Sequence, residues 1–386
     1  MRLLRNGVVH RWPAPPVQAD VLIDTHIRRI SPSIAPQHGW EVVDLDGRHL
    51  APGFIDVQIN GGFGHDLTSD PSAIPVLAAH LPAHGVTAFL PTIITSPPDS
   101  VAAAREVIDG LRPDAVGRAA ALGLHLEGPF LAPERIGAHE SAHLRQPDAS
   151  LTRRWSRASG IRLVTLAPEL PGSLAVVREL VARGVTVSAG HSSASYRELG
   201  DAVDSGVRAV THLFNAMGPF HHREPGIIGR AFTDDRLAAS IIVDGHHVHP
   251  AAVRTAWTML GPGRLMLITD AIAGLGMGDG SFVLAGAPVQ VRAGVARTAD
   301  GVLAGSVLSM DAAVRNLIAT TGCSPSEAFA SASTTPARLI GEADRGVIAE
   351  DMRADLIVLD GDLSVRMTII DGETAFDTEP TAPRRR

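Results

Sequence analysis

Apolar and polar positions alternate along this chain in two different ways. Residues 1–50 carry short, half-apolar runs separated by turns, which predict β-strands with one exposed face. From residue 53 onward, continuous apolar runs alternate with stretches whose apolar residues have the spacing of amphipathic helices. Such continuous runs are typical of parallel strands buried on both faces. They lie near residues 53–58, 86–91, 120–127, 161–167, 185–190, 207–212, 238–244 and 265–270.

Eight strand-and-helix repeats over roughly 250 residues predict an α/β fold, a (β/α)8 TIM barrel. The clearest helices are expected at residues 71–84, 100–111, 173–183 and 250–260. A doubly wound open sheet is the alternative, but no Gly-x-Gly-x-x-Gly motif follows an early strand.

Strand-like runs return near the C-terminus, at residues 354–360 and 365–371. We therefore predict that residues 1–51 and 341–386 build one small β-sandwich domain, with the barrel, residues 52–340, inserted between its two parts.

Composition narrows the class of protein. Apolar residues make up 45% and charged residues 19%, as in a well-packed globular protein. The net charge of −7 argues against nucleic acid as a partner. One cysteine, Cys323, excludes an intrachain disulfide framework, and neither a signal peptide nor a membrane span is recognisable. A cytoplasmic protein that binds no membrane is expected.

The chain contains no lysine, because all 34 basic residues are arginines. This absence excludes Schiff-base chemistry, a P-loop lysine and a carboxylated lysine that bridges two metal ions.

Four buried runs end on a side chain that can bind a metal or move a proton, namely Glu127, His191, His212 and Asp270. In barrel enzymes the active site lies at the C-terminal ends of the strands. His191 and His212 are 21 positions apart (212 − 191), about one strand–helix–strand step, so both should reach the same rim. Two imidazoles and one carboxylate leave a coordination position open, as in catalytic zinc sites. The pattern predicts metal-assisted hydrolysis.

Neighbouring residues leave alternatives open. His125 shares a strand face with Glu127 and is a rival ligand, although it lies one layer deeper. Gln58 and Asn60 point inward where many barrel hydrolases carry His-x-His, and neutral amides ligate zinc poorly, so a single metal ion is predicted. Asp270 can act as the acid/base that serves water and the leaving amine. Helix capping is the alternative for this residue.

At this point the motifs resemble those of the amidohydrolase superfamily, and within it the branch that deacetylates N-acetylglucosamine 6-phosphate. The similarity covers nearly the whole chain in the right order. It is carried by residues 52–62, 124–130, 189–192, 211–217, 223–226, 244–248, 269–271 and 304–306.

The resemblance implies roles for particular residues. Glu127, His191 and His212 would bind one divalent ion, with zinc expected first and iron or cobalt as alternatives. Asp270 would be the proton shuttle, and His247 would lie beside the scissile carbonyl and the phosphosugar.

Further implied roles concern the sugar phosphate. His139, Asn215 and Ala216 would contact the substrate. Arg223 would bind its phosphate, from the same chain or from the partner in a homodimer. On residue type alone, Arg223 could instead form a surface ion pair.

The implied reaction converts N-acetyl-D-glucosamine 6-phosphate into D-glucosamine 6-phosphate and acetate, within amino-sugar metabolism. Two alternatives remain. One is an amidohydrolase that acts on a cyclic amide or a dipeptide, and the other is a sugar-phosphate-binding protein without catalysis.

Overall fold

The computed structural model describes residues 1–111 and 117–379. Within these ranges the strands are β1 (Arg2–Val9), β2 (Val17–Ile23), β3 (Ile27–Ser31), β4 (Glu41–Asp44), β5 (His49–Pro52), β6 (Phe54–Ile59), β7 (Gly61–Gly62), β8 (His65–Asp66), β9 (Val86–Ile94), β10 (Ala120–Ala121), β11 (Leu124–Glu127), β12 (Ile161–Leu166), β13 (Thr186–Ala189), β14 (Ala209–Val210), β15 (Ala238–Ile241), β16 (Leu265–Leu267), β17 (Gly280–Leu284), β18 (Ala287–Arg292), β19 (Val295–Thr298), β20 (Leu356–Leu359), β21 (Val365–Ile370) and β22 (Glu373–Asp377). The α-helices are α1 (Ile74–His80), α2 (Pro98–Gly110), α3 (Ser173–Ala182), α4 (Tyr196–Ser205), α5 (Gly226–Thr233), α6 (Pro250–Leu260), α7 (Met310–Thr321), α8 (Pro325–Ala332) and α9 (Thr334–Leu339).

Eight parallel strands form a barrel in the order β6, β9, β11, β12, β13, β14, β15 and β16. The ring closes between its first and last strands through two backbone hydrogen bonds. The N–H of Asp270 donates to the carbonyl of Gln58 (2.9 Å), and the N–H of Asn60 donates to that of Ala271 (2.8 Å). Nearly every barrel-strand residue is buried, which explains the continuous apolar runs. The predicted TIM barrel is confirmed.

Both chain ends contribute to a second sheet, in the order β22-β21-β20-β5-β1-β2-β3, with β4 paired to β1. It encloses an apolar core of its own, in which Leu4 and Val21 from the N-terminal part meet Leu356 and Ile369 from the C-terminal part. The predicted β domain built from both ends is confirmed. Its boundaries, 1–51 with 341–386 against 52–340 for the barrel, stay a prediction, and residues 380–386 lie outside the described residues.

The predicted helices are found where apolar residues recur at regular helical spacing. The predicted helix at 250–260 is α6, and that at 173–183 is α3. The expected helix at 71–84 is interrupted, because 3-10 turns at Pro71–Ala73 and Leu81–His84 flank α1. No helix in residues 1–111 or 117–379 has the length and apolar character that a membrane span requires.

A three-stranded antiparallel meander, β17–β19, separates the last barrel strand from α7. Its buried residues Leu284, Val289 and Val291 pack with Ile94, which ends β9, and with Ile272, which follows the last barrel strand. The meander therefore covers part of the rim where the strands end. The sequence analysis did not predict it, although the alternation of Val289 and Val291 with Gln290 and Arg292 is the pattern of a strand with one exposed face.

Candidate active site

Glu127, His191 and His212 converge at the C-terminal ends of β11, β13 and β14. Oε1 of Glu127 lies 3.1 Å from Nε2 of His191 and 3.0 Å from Nε2 of His212, and the two nitrogens are 3.0 Å apart. A tetrahedral ion with bonds of roughly 2.0–2.1 Å separates its ligand atoms by about 3.3 Å. The three atoms would need to move apart by only about 0.2–0.3 Å to hold a divalent metal ion in this geometry.

The backbone takes an unusual conformation after three of the barrel strands, β13, β14 and β16. His191, His212 and Asp270 have φ angles of 48°, 34° and 50°, in the left-handed region that side-chain-bearing residues rarely adopt. Strain of this kind concentrates at functional sites, where the surrounding structure enforces it.

The buried carboxylate of Glu127 makes the triangle a favourable place for a positive charge. Burial alone would raise the pKa of Glu127, but hydrogen bonds with His191 and His212 hold it well below its ordinary value. Burial alone would lower the pKa of His212, but the Glu127 carboxylate raises it. The Glu127 carboxylate thus favours the protonated form of His212, and a metal cation bound between the three side chains would supply the same charge compensation.

A ring of hydrogen bonds orients His191. Its Nδ1 donates to the carbonyl of Arg135 (2.8 Å), which leaves Nε2 available as a metal ligand. The Nε of Arg135 donates in turn to the hydroxyl of Ser193 (2.9 Å). The carboxylate of Glu169 accepts from the N–H of Ser193 and the hydroxyl of Ser192, both at 2.6 Å. The turn that carries His191 is therefore held on two sides.

His125 lies beneath the triangle with both ring nitrogens engaged. Its Nδ1 donates to the carbonyl of Val57 (3.1 Å), and its Nε2 accepts from the hydroxyl of Thr165 (2.8 Å). Burial lowers its pKa to about 4. Because neither nitrogen faces the triangle with a free lone pair, the geometry does not favour His125 as a ligand.

His139 is close to the triangle but differs in its tautomer. One ligand atom from each of Glu127, His139 and His191 lies within 4.8 Å of the others, so distance alone admits His139 as a ligand. However, its Nδ1 accepts from the N–H of Thr95 (3.3 Å). Burial and the neighbouring His191 lower its pKa to about 3, which keeps the ring neutral with its proton on Nε2. That Nε2–H is a donor, suited to a substrate oxygen rather than to a metal.

Asp270 is held by two amides on the first barrel strand. Its Oδ1 accepts from Nδ2 of Asn60 (2.7 Å) and Nε2 of Gln58 (3.2 Å). Gln58 Nε2 also donates to Glu127 Oε1 (3.2 Å), so both amides brace carboxylates. Burial, followed by the charge of Glu127, raises the pKa of Asp270 to about 6. A carboxyl with one oxygen anchored and such a pKa suits proton transfer near neutral pH.

His247 faces the same space from the loop after β15. Its Nδ1 lies 2.6 Å from Oδ2 of Asp244, and Oδ1 of Asp244 accepts from the N–H groups of His246 and His247. Burial would raise the pKa of Asp244, but the hydrogen bond with His247 outweighs it and lowers the pKa. The ring is thereby fixed, and Nε2 is left for a ligand in the cleft.

These side chains line one cleft of about 380 Å³ at the rim of the barrel. Of the residues singled out from the sequence, the cleft brings together Glu127, His139, His191, His212, Asn215, Ala216, His247 and Asp270. It does not include Arg223. That residue lies exposed on the loop after β14 and forms no ion pair with any described residue.

A family model described as the amidohydrolase family matches residues 49–375. The chain belongs to the amidohydrolase family. It is 45% identical over 354 residues to the N-acetylglucosamine-6-phosphate deacetylase of Homo sapiens, covering 87% of this chain and 85% of the human protein. It is 39% identical over 338 residues to the N-acetylgalactosamine-6-phosphate deacetylase of Escherichia coli O157:H7, and the match covers 86% of this chain and 89% of the bacterial protein.

A solved structure gives the same picture. The fold superimposes with a TM-score of 0.88 on an Asp-to-Ala variant of the Mycobacterium smegmatis N-acetyl-D-glucosamine-6-phosphate deacetylase, in complex with N-acetyl-D-glucosamine-6-phosphate. The two chains share 33% identity, with 97% of this chain and 99% of that chain covered.

Several residues of this amidohydrolase site escaped the sequence reasoning. Arg135 lines the cleft, Glu169 braces the turn at His191, and Leu303 adds an apolar wall. Arg135 ends a short 3-10 turn, Pro133–Arg135, while Glu169 and Leu303 lie in loops, so no periodic pattern marks any of them. The only usable signal was for Glu169, an acidic residue shortly after a buried strand, like the residues that were singled out.

Proposed function

We propose that this amidohydrolase converts N-acetyl-D-glucosamine 6-phosphate into D-glucosamine 6-phosphate and acetate. The observation that carries the proposal is the Glu127–His191–His212 triangle with Asp270 on the same rim, inside one cleft. Relatives named N-acetylglucosamine-6-phosphate deacetylase, 37–45% identical, support the choice of substrate.

Glu127, His191 and His212 hold one divalent metal ion, which we propose to be zinc, with iron or cobalt as alternatives. When bound, such an ion polarises an amide carbonyl and makes water a better nucleophile. A second ion is not expected, because the amides of Gln58 and Asn60 are committed to Asp270 and Glu127.

Asp270 performs the proton transfers in this proposal. Its Oδ1 is anchored, so Oδ2 takes the proton of the attacking water and later delivers it to the leaving nitrogen. His247, tied through Nδ1 to Asp244, can carry a proton on Nε2 and donate it to the carbonyl oxygen as negative charge develops. His139 donates from Nε2 to the sugar, and Asn215 and Ala216 contact the sugar phosphate.

Arg223 reaches a phosphate only if it serves a neighbouring chain, so we propose a homodimer. An apolar hollow of about 420 Å³ lies beside the loop of Arg223 and is lined by aromatic residues, including Phe214, Phe220 and Phe232. Phe220 is 57% exposed, and exposed apolar patches of this kind mark interfaces. We also place the protein in the cytoplasm, in keeping with its single buried thiol at Cys323.

The test is acetate release from N-acetylglucosamine 6-phosphate by metal-loaded protein. N-acetylglucosamine and N-acetylgalactosamine 6-phosphate serve as comparison substrates. Fast release from the glucosamine phosphate ester, slower release from its galactosamine isomer and little from the free sugar support the proposal. Release from none of the three would overturn it, and a preference for the galactosamine ester would change the sugar.

A further inference from the structure

We infer that Arg135 binds the phosphate group of the substrate from the same chain as the metal site. The inference rests on the proposed function and deepens it, because it gives the substrate phosphate a second guanidinium in addition to that of Arg223. A guanidinium can bind phosphate through two parallel hydrogen bonds, and the chain has no lysine that could supply the positive charge instead.

Charge in the cleft singles out Arg135. The described residues that line the cleft include three carboxylates, those of Glu127, Glu134 and Asp270, and Arg135 is the only arginine among them. Without Arg135, the three carboxylates and a divalent ion would leave a net charge of −1 (−3 + 2) facing a doubly charged phosphate. The positive charge of Arg135 offsets this repulsion from within the cleft, whereas Arg223 of the same chain does not line this space.

Arg135 is also held in a defined position. Its Nε donates to Ser193, and the adjacent Ser192 donates its N–H to the carbonyl of Ala216 (3.1 Å). Ser192 also forms a parallel bridge with Met217. The guanidinium is therefore anchored where the turn after β13 meets the turn that carries Asn215 and Ala216, the proposed contacts of the sugar phosphate.

The donors of Arg135 are only partly used. Nε is engaged by Ser193, but neither Nη1 nor Nη2 donates a hydrogen bond to any residue in 1–111 or 117–379. No ion pair within 4.0 Å joins Arg135 to the adjacent Glu134 in these ranges either. A guanidinium fixed through Nε, with both terminal nitrogens free, is prepared for a bidentate contact with an oxyanion.

Arg135→Ala tests the inference, with Arg135→Lys as the conservative variant. Arg145→Ala is the matched control, because Arg145 is an exposed arginine ten positions further along whose side chain donates only to the carbonyls of Ala142 and Leu144. We expect Arg135→Ala to raise KM for N-acetylglucosamine 6-phosphate about 10- to 100-fold with kcat within threefold. Arg135→Lys should fall between wild type and Arg135→Ala, and Arg145→Ala should match wild type.

Binding of glucosamine 6-phosphate and of glucosamine, measured by calorimetry, separates a phosphate contact from a purely structural role. Loss of affinity for the phosphate ester alone supports the inference. An unchanged KM, or an equal loss for both sugars with loss of bound metal, overturns it and reduces Arg135 to support for His191. If the wild type releases no acetate, the proposed function fails. The difference in affinity between glucosamine 6-phosphate and glucosamine still shows whether Arg135 binds phosphate.

Discussion

Replacing Asp270 with asparagine should abolish turnover and at the same time stabilise the metal-free protein. Asparagine has nearly the same shape, and its amide oxygen can keep accepting from Asn60 and Gln58. Its NH2 group then takes the place of Oδ2 and donates where the reaction needs an acceptor. Loss of a general acid/base typically reduces kcat by about 10²- to 10⁴-fold.

The stability gain follows from the pKa of Asp270, which burial and the charge of Glu127 raise from 3.8 to about 6. A shift of about two pKa units corresponds to about 3 kcal/mol. This is the additional free energy needed to ionise the carboxyl in the folded protein compared with the unfolded chain. Because the folded pKa is the higher one, wild type loses this stability as the pH rises from about 4 to about 6. Asparagine never ionises, so its advantage should be full at pH 8 and nearly absent at pH 4.

The assay pairs acetate release by metal-loaded protein with urea unfolding of chelator-treated protein at pH 8 and pH 4. Asp235→Asn is the control, because the Asp235 side chain is 96% exposed and should change neither quantity. Turnover within tenfold of wild type would remove Asp270 from its proposed role. A metal-free Asp270→Asn protein less stable than wild type at pH 8 would refute the electrostatic argument.

Three further predictions concern the support of the site and of the fold. Glu169→Gln should weaken divalent-metal binding about tenfold, because the substitution loosens the turn that carries His191. Competition with a chromogenic chelator measures the metal affinity, and an unchanged affinity would contradict the prediction. The pKa of His10, lowered to about 4 by burial and by the neighbouring His49, makes the fold lose stability as the pH falls from 6.5 towards 4. His10→Gln should flatten that dependence in urea unfolding, and an equally steep loss in the variant would speak against it. Removing the metal should cost about 3–4 kcal/mol of unfolding free energy relative to protein in metal at 100–1,000 times Kd, and equal unfolding midpoints with and without a chelator would exclude a bound ion.

The sequence revealed those parts of the site that the barrel itself assembles. Glu127, His191, His212 and Asp270 end buried strands, and a closed parallel barrel brings all its strand ends to one rim. Their convergence could therefore be predicted without knowing any loop conformation.

Site residues outside the strand ends could not be predicted from the barrel pattern alone. His139 and His247 lie on loops, and only the family resemblance pointed to them. The tautomer of His139 depends on a backbone N–H from Thr95, which no pattern of side chains encodes. Arg135 was missed because an arginine in a short aperiodic segment looks like any surface cation, and the role proposed for Arg223 requires a second chain.

The central claim is that Glu127, His191 and His212 hold one divalent ion on which deacetylation depends. Titrating metal-free protein with zinc while acetate release from N-acetylglucosamine 6-phosphate is followed tests it most directly. We predict activity that rises linearly and stops at one equivalent per chain, with no activity in His191→Ala loaded with the same amount. A plateau at two equivalents, or activity independent of metal, would contradict the account.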